Sequence, residues 1–269
     1  MIQKVYIARH GFRLNWVDSK WKSATGLPRD PPLAAYGETQ ATELANWFMN
    51  LPAHERPTAI FSSPYYRCLQ TARPTSRALQ VPIYVEHGIS EWYSPAAPGT
   101  GLHPRPFPAS ELKQYFSEID PSWSSVWYPS RKGESVFEIL DRVEGTLNIL
   151  VPEIEQRFGD KHTHILMVGH AATVIALARG LLGDRSLSLR VGCCSLTEIV
   201  RKADSSNVIG GWEAKLLASG HHLAQGASRD WGFEDIEVSN GKVVDDVGMA
   251  GTEDEVDDTS GPQTQKSSL

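Results

Sequence analysis

Two kinds of apolar pattern alternate along this chain. Short, nearly continuous apolar runs lie at residues 4–8, 58–61, 83–85 and 164–168, with two more at 196–200 and 212–217. Their length and flanking turn residues predict strands. Between them, apolar positions recur at helical spacing. "GETQATELANWFMN" puts Ala41, Leu44, Ala45 and Phe48 on one face. "SSPYYRCLQTARPTSRAL" opens with a serine cap and Pro64 in a first-turn position, and Pro74 is expected to bend or break that helix near residues 70–73. "ESVFEILDRVEGTLNILVPEIEQRF" is long and amphipathic but interrupted by Pro152, and "AATVIALARGLLG" ends at Gly183, a helix-capping glycine. Strands alternating with helices predict an α/β fold, a three-layer α/β/α sandwich on a mostly parallel central sheet. No internal repeat interrupts it. The expected domain runs over residues 1–244. Within it, residues 93–130 break the pattern, with seven of the chain's 17 prolines together with Trp123 and Trp127. An insertion of this kind over the sheet edge is expected to form a pocket wall or lid.

Chemistry gathers where strands end. The first strand finishes in Arg9-His10-Gly11 with Arg13 two residues on, and a second histidine, His170, directly follows "ILMVG". In a parallel sheet both would project from the same rim. His170 also opens a helix, where unpaired N–H groups favour an anion over an imidazolium. Arg67 stands on the first turn of the helix after the second strand. Three guanidiniums and two imidazoles at one rim make a pocket whose natural occupant is a phosphate. Glu91, in "GISEWY", is by itself no more than a loop acid. Beside a bound phosphate dianion its pKa should rise, which would suit it to donate a proton.

Composition changes the picture in one respect. The net charge of −6 resides in residues 245–269, which carry Asp245, Asp246, Glu253, Asp254, Glu255, Asp257 and Asp258 against a single Lys266. The remaining body is charge-balanced and lacks the basic stripe of a nucleic-acid binder. The acidic stretch, poor in aromatics, is expected to be a disordered tail. Hydrophobic residues at 41% are ample for a core, and no run reaches the length of a membrane span. The first strand begins too early for a signal peptide. Cys68, Cys193 and Cys194 form neither a zinc spacing nor a disulfide framework, and the pairs His162/His164 and His221/His222 lack partner ligands. "CLQTAR" is one residue short of the protein-tyrosine-phosphatase spacing. The expected compartment is cytoplasmic or nuclear.

In combination, "ARHG", "PLAAYGETQA", "FSSPYYRCLQTA", "GISEWY" and "VGHAA" are specific. Their order, from about Val5 to Trp231, resembles the histidine phosphatase superfamily, also called phosphoglycerate mutase-like. Two branches are most similar. The fungal τ55-type subunit of transcription factor IIIC shares the "YIARHG", "NW", "YRCL" and "EWY" runs. The suppressors of T-cell receptor signalling and ecdysteroid-phosphate phosphatases share "PASEL", "GCCSLTE" and "DWGF".

The resemblance implies a phosphomonoesterase needing no metal or cofactor. His10 would be the nucleophile and Glu91 the proton donor. Arg9, Arg13, Asn15, Arg67 and His170 would bind the phosphoryl group. "RHGFRLNW" departs from the mutase signature, so hydrolysis is favoured over mutase chemistry. The alternative is a non-catalytic or weakly catalytic subunit of transcription factor IIIC, with the other subunits of that complex as partners. Such subunits carry a further β-rich region, whereas here a short acidic stretch follows, which favours the free-standing enzyme. A lesser alternative is a metabolic phosphatase or diphosphatase dedicated to one small molecule. The expected substrate is a phosphate ester, with Trp92, Tyr93, Trp123 and Trp127 pointing to an aromatic or apolar leaving group. No nucleic-acid or membrane partner is expected, and a homodimer is left open.

Overall fold

The computed structural model describes residues 1–239 and 242–263. In chain order it contains strand β1 (Lys4–Arg9), helix α1 (Ala35–Asn50), β2 (Ala59–Ser62), α2 (Tyr66–Leu79), β3 (Ile83–Val85), the short α3 (Ala109–Leu112) and β4 (Trp127–Tyr128). There follow α4 (Val136–Phe158), β5 (His164–Gly169), α5 (Ala171–Leu182), β6 (Leu196–Arg201) and β7 (Trp212–Ser219). Three two-residue strands complete the chain: β8 (Val238–Ser239), β9 (Lys242–Val243) and β10 (Gly261–Pro262).

Six strands form the central sheet in the order β3-β2-β5-β1-β6-β7. β1, β2, β3 and β5 run parallel, while β6 lies antiparallel to both its neighbours. The continuous apolar runs are explained by burial on both faces. Val5, Ile7, Ile165 and Met167 point into one core layer with α4 and α5. Tyr6, Ala8, Leu166 and Val168 point into the other, with α1 and α2. Among the described residues no helix is long and apolar enough to cross a membrane.

Neither proline breaks its helix. α2 continues through Pro74 and α4 through Pro152. Each ring removes one intrahelical hydrogen bond, and packing on the sheet outweighs that loss. The start of α2 also differs from the serine cap expected. Tyr65 occupies the cap position without a side-chain bond, and the free Tyr66 N–H donates instead to Asp30 Oδ2 at 2.8 Å, an acceptor distant in sequence.

The acidic stretch from Asp245, expected to be disordered, is folded over residues 245–263 against the proline-rich insertion. Ala97 N–H donates to the Asp246 carbonyl at 2.7 Å, Met249 N–H to the Leu102 carbonyl at 2.9 Å, and β10 pairs with β4. Charge explains the docking: Arg29 holds Asp246 at 2.6 Å, Arg105 holds Asp257 at 2.9 Å, and Arg131 holds Glu255 at 2.6 Å. Local composition registers the low hydrophobicity of this stretch but not the three distant arginines that receive its carboxylates. Residues 264–269, the remainder of that expectation, lie outside the described residues.

Candidate active site

The register of β1 against β5 sets Arg9 opposite Gly169. The next residue of each strand, His10 and His170, therefore leaves the sheet beside the other. Their ring centroids are 5.4 Å apart, and His10 N–H donates to the Gly169 carbonyl at 2.9 Å. Gly11 is required at this exit, because a Cβ there would lie 2.7 Å from the Gly37 carbonyl oxygen near the start of α1. The neighbouring strand β2 ends at Ser62 and delivers Arg67 on the first turn of α2. β3 and the turn after it deliver Glu91.

His10 is 1% exposed, and its Nδ1 lies 2.8 Å from the Gly11 carbonyl. A nitrogen facing a carbonyl carries the hydrogen, so Nδ1–H donates and Nε2 keeps its lone pair. Burial, reinforced by Arg67, Arg9, His170 and Arg13, holds His10 well below the usual histidine range. The ring is held neutral, with Nδ1 anchored and the lone pair left on Nε2.

His170 is fully buried and burial lowers it to about 4. Its Nδ1 lies 3.2 Å from Glu91 Oε2, and its Nε2 lies 2.8 Å from Ser63 Oγ. For a neutral ring the consistent tautomer donates from Nδ1 to the carboxylate and accepts the serine hydroxyl at Nε2. Arg67, 1% exposed, donates from Nη1 to Asp30 at 3.0 Å and from Nη2 to Glu91 at 2.9 Å. Burial opposes its charge, but Glu91 and Asp30 more than restore it.

The expectation that Glu91 rises beside a bound phosphate concerns the complex; without a ligand its neighbours act in the opposite direction. Burial pushes it up, yet His170, Arg67 and Arg13 together hold it well below the usual carboxylate range. Among the pocket's own side chains Glu91 is a carboxylate.

Arg9 is anchored through Nη1 to the carbonyls of Val191 and Arg229. Arg13 lies 4.3 Å over the Trp16 ring, and burial, then Arg67 and Arg9, lower it to about 10. Arg9, Arg13 and Arg67 each leave a buried Nε–H without an acceptor. Protein interiors pair nearly all such donors; with Arg105 Nε and Arg142 Nη2 unpaired elsewhere as well, these three are donors that an oxyanion bound at the site can use. His10, Glu91 and His170 also bring ligand-type atoms within 4.8 Å of one another, as a metal site would. The positive field of the surrounding arginines disfavours a divalent cation there and favours an anion.

Thus Arg9, His10, Arg13, Arg67, Glu91 and His170 converge. Asn15 does not join them by any described hydrogen bond, and its buried Oδ1 has no partner. Several residues escaped the sequence. Asp30, 1% exposed, orients Arg67 from a loop with no periodic signal. Ser63 faces His170 instead of capping a helix. Tyr65 packs edge-on against His170, centroids 5.0 Å apart. Trp16 is the large aromatic beside His10, with ring centroids 6.4 Å apart.

The expected leaving-group aromatics divide. Tyr93 lines a cavity of about 20 Å³ together with Glu91, Tyr65 and His103. Trp123 is instead in the core, 2% exposed and bonded to buried Glu86. Trp92 turns towards Trp231 and Phe233, and Trp127 packs on α4 at Gly145. Cys68 is a buried thiol 3.4 Å from His170 Nε2, pushed up by burial. Cys193 and Cys194 are free and buried.

Comparisons with known proteins bear on the fold and the family. The Saccharomyces cerevisiae transcription factor tau 55 kDa subunit is 36% identical over 217 residues, 76% of this chain and 49% of that protein. The Drosophila melanogaster ecdysteroid-phosphate phosphatase is 24% identical over 236 residues, 73% of this chain and 30% of that protein. This chain thus spans about half or less of the length of these curated relatives. Among solved structures, the ecdysone phosphate phosphatase of Bombix mori in complex with tungstate superposes with a TM-score of 0.57 at 20% identity, covering 79% of this chain and 91% of that one. A putative α-ribazole-5′-P phosphatase from Escherichia coli superposes with a TM-score of 0.53 at 18% identity, covering 81% and 97%. Residues 5–213 match the model of the histidine phosphatase superfamily (branch 1), and with the two histidines side by side on a largely parallel sheet the chain belongs to that superfamily.

Proposed function

We propose that this protein is a phosphatase hydrolysing phosphate monoesters through a phosphohistidine intermediate on His10. The observation that carries this reading is the placement of His10: buried, anchored at Nδ1 by the Gly11 carbonyl, beside His170, and held well below the usual histidine range by burial together with Arg67, Arg9, His170 and Arg13. Nε2 attacks phosphorus as the ester P–O bond breaks, and Glu91, protonated in the complex, gives its proton to the departing oxygen. Arg9, Arg13, Arg67 and His170 stabilise the charge spread over the phosphoryl oxygens in flight. Water then attacks the phosphohistidine, Glu91 takes a proton from it, and phosphate leaves with His10 restored. The scheme calls on no metal or cofactor.

Trp16 beside His10 and Tyr93 beside Glu91 favour an aromatic or apolar leaving group. Purified protein assayed against a panel of phosphate esters that includes an aryl phosphate tests the activity. An alkaline-quenched digest searched for a phosphoryl group on His10 tests the intermediate. His10→Ala is expected to abolish turnover while circular dichroism shows an intact fold. Full aryl phosphatase activity in that variant would refute the mechanism.

A second reading, an assembly subunit of the transcription factor IIIC type with a nuclear location, is favoured by the 36% identity to the yeast tau 55 kDa subunit. Co-purification with subunits of that factor, joined to a failure to hydrolyse any ester of the panel, would establish it in place of the first.

A further inference from the structure

Beside buried His10 stands an indole with two guanidiniums near its ring. Trp16 lies beside His10, with Arg13 4.3 Å from its ring and Arg229 5.3 Å from it. Arg229 also lies 5.8 Å from the Phe12 ring, and Phe12 meets Trp16 edge-on at 4.9 Å. Arg229 is exposed and, among the described residues, forms no ion pair with a carboxylate. The contrast with its neighbours is sharp, since Asp230, Glu234 and Asp235 on the same segment all bond Arg190. That cluster, with the Val191–Trp231 bridge, fixes the backbone from which Arg229 projects. The Arg229 carbonyl in turn anchors Arg9. Its guanidinium is therefore a positioned, exposed cation that meets Trp16, which in turn lies beside His10.

Charge sharpens the point. Arg67 is matched by Asp30 and Glu91, whereas Arg13 and Arg229 share the Trp16 ring without a carboxylate between them. If Glu91 enters the reaction protonated, one of its matching negative charges is removed, and the pocket's positive excess exceeds what a single phosphate dianion neutralises. An aromatic leaving group stacked on Trp16 would carry any acidic substituent towards Arg229, where a charge-assisted hydrogen bond is available.

Resting on the phosphatase reading above, we infer that Trp16 and Arg229 form a leaving-group subsite selective for aryl phosphates bearing a second, carboxylate-type anion. Arg229 is here a specificity residue, not a participant in phosphoryl transfer.

The test compares two substrates of matched shape, 4-carboxyphenyl phosphate and its neutral 4-carboxamidophenyl counterpart, in the full-length protein. The readout is the ratio of their kcat/KM values, so that any general loss cancels. The wild type should prefer the carboxylate by roughly tenfold, the scale of one charge-assisted hydrogen bond, and the preference should shrink with added salt. Arg229→Gln should bring the ratio near one, and Arg229→Glu should invert it. Trp16→Leu should raise KM for both aryl esters more than it lowers kcat. Turnover of both esters with no carboxylate preference, or a preference that survives Arg229→Gln, overturns the subsite while leaving the phosphatase reading standing. No turnover of any ester by the wild type would overturn both.

Discussion

Glu91 poses a thermodynamic problem whose solution can be measured. To protonate a leaving oxygen it must carry a proton, yet His170, Arg67 and Arg13 hold it ionised against its burial. Its Oε2 lies 2.9 Å from Arg67 Nη2 and 3.2 Å from His170 Nδ1. An oxyanion bound among these arginines competes for the same donors and adds its own repulsion. Two unit charges about 5 Å apart at an effective dielectric of about 20 interact by roughly 3 kcal/mol. That is about two pKa units for each charge on the ligand. A dianion thus pushes Glu91 strongly up from its place well below the carboxylate range, towards the protonated form. Binding should therefore take up a proton, and the affinity for a dianion should fall as pH rises.

Tungstate, doubly charged at neutral pH, can be titrated calorimetrically in buffers of different ionisation enthalpy between pH 6 and 7. The slope of observed heat against buffer enthalpy counts protons, and a net uptake on tungstate binding is expected. His10 and His170, both held neutral by burial, feel the same dianion and contribute. The decisive quantity is thus the difference from Glu91→Gln, which should lose most of the uptake. Equal uptake in both proteins, or none in the wild type, would refute the linkage and remove Glu91 as the proton donor.

Three further outcomes follow from the same structure. Glu91→Gln should slow hydrolysis of alkyl phosphates at least tenfold more than that of 4-nitrophenyl phosphate, whose leaving group departs without a proton; steady-state kinetics on the pair decide this. Asp30→Ala leaves Arg67 buried with one carboxylate fewer and should destabilise the fold by about 3–5 kcal/mol, read by urea denaturation; an unchanged midpoint would show that Asp30 does not hold Arg67. Truncation after Val244 removes the partners of Arg29, Arg105 and Arg131, including Asp257, whose side chain is 1% exposed. The melting temperature should drop by several degrees, at about 2–4 °C per kcal/mol for a chain of this size, and a melting curve unchanged by truncation would return the acidic stretch to the status of a solvated tail.

What the sequence determined by itself was everything carried by local periodicity and by the ends of strands. Six central strands appear within two residues of their expected ends: the apolar runs of β1, β2, β3 and β5 are buried on both faces of the sheet, whereas β7 alternates buried or half-buried with exposed residues as an edge strand. The convergence of His10, His170, Arg67 and Glu91 was legible for a related reason: parallel strands share a rim, His10 and His170 directly follow β1 and β5, and Arg67 and Glu91 lie on the segments that leave β2 and β3 at that same rim.

Only the tertiary structure decided what depends on partners far apart in the chain. Asp30 reaches Arg67 and Tyr66 from a loop that no pattern distinguishes, and Ser63 turns to His170 though its sequence context reads as a cap. Trp123 enters the core because Glu86 is there to receive its indole N–H. Pro74 and Pro152 stay within helices because packing on the sheet outweighs one lost hydrogen bond. The acidic stretch is ordered by arginines more than a hundred residues away. Hydrophobic periodicity is a property of neighbours in sequence, whereas a charge finds its place only once the fold has brought its counter-charge near.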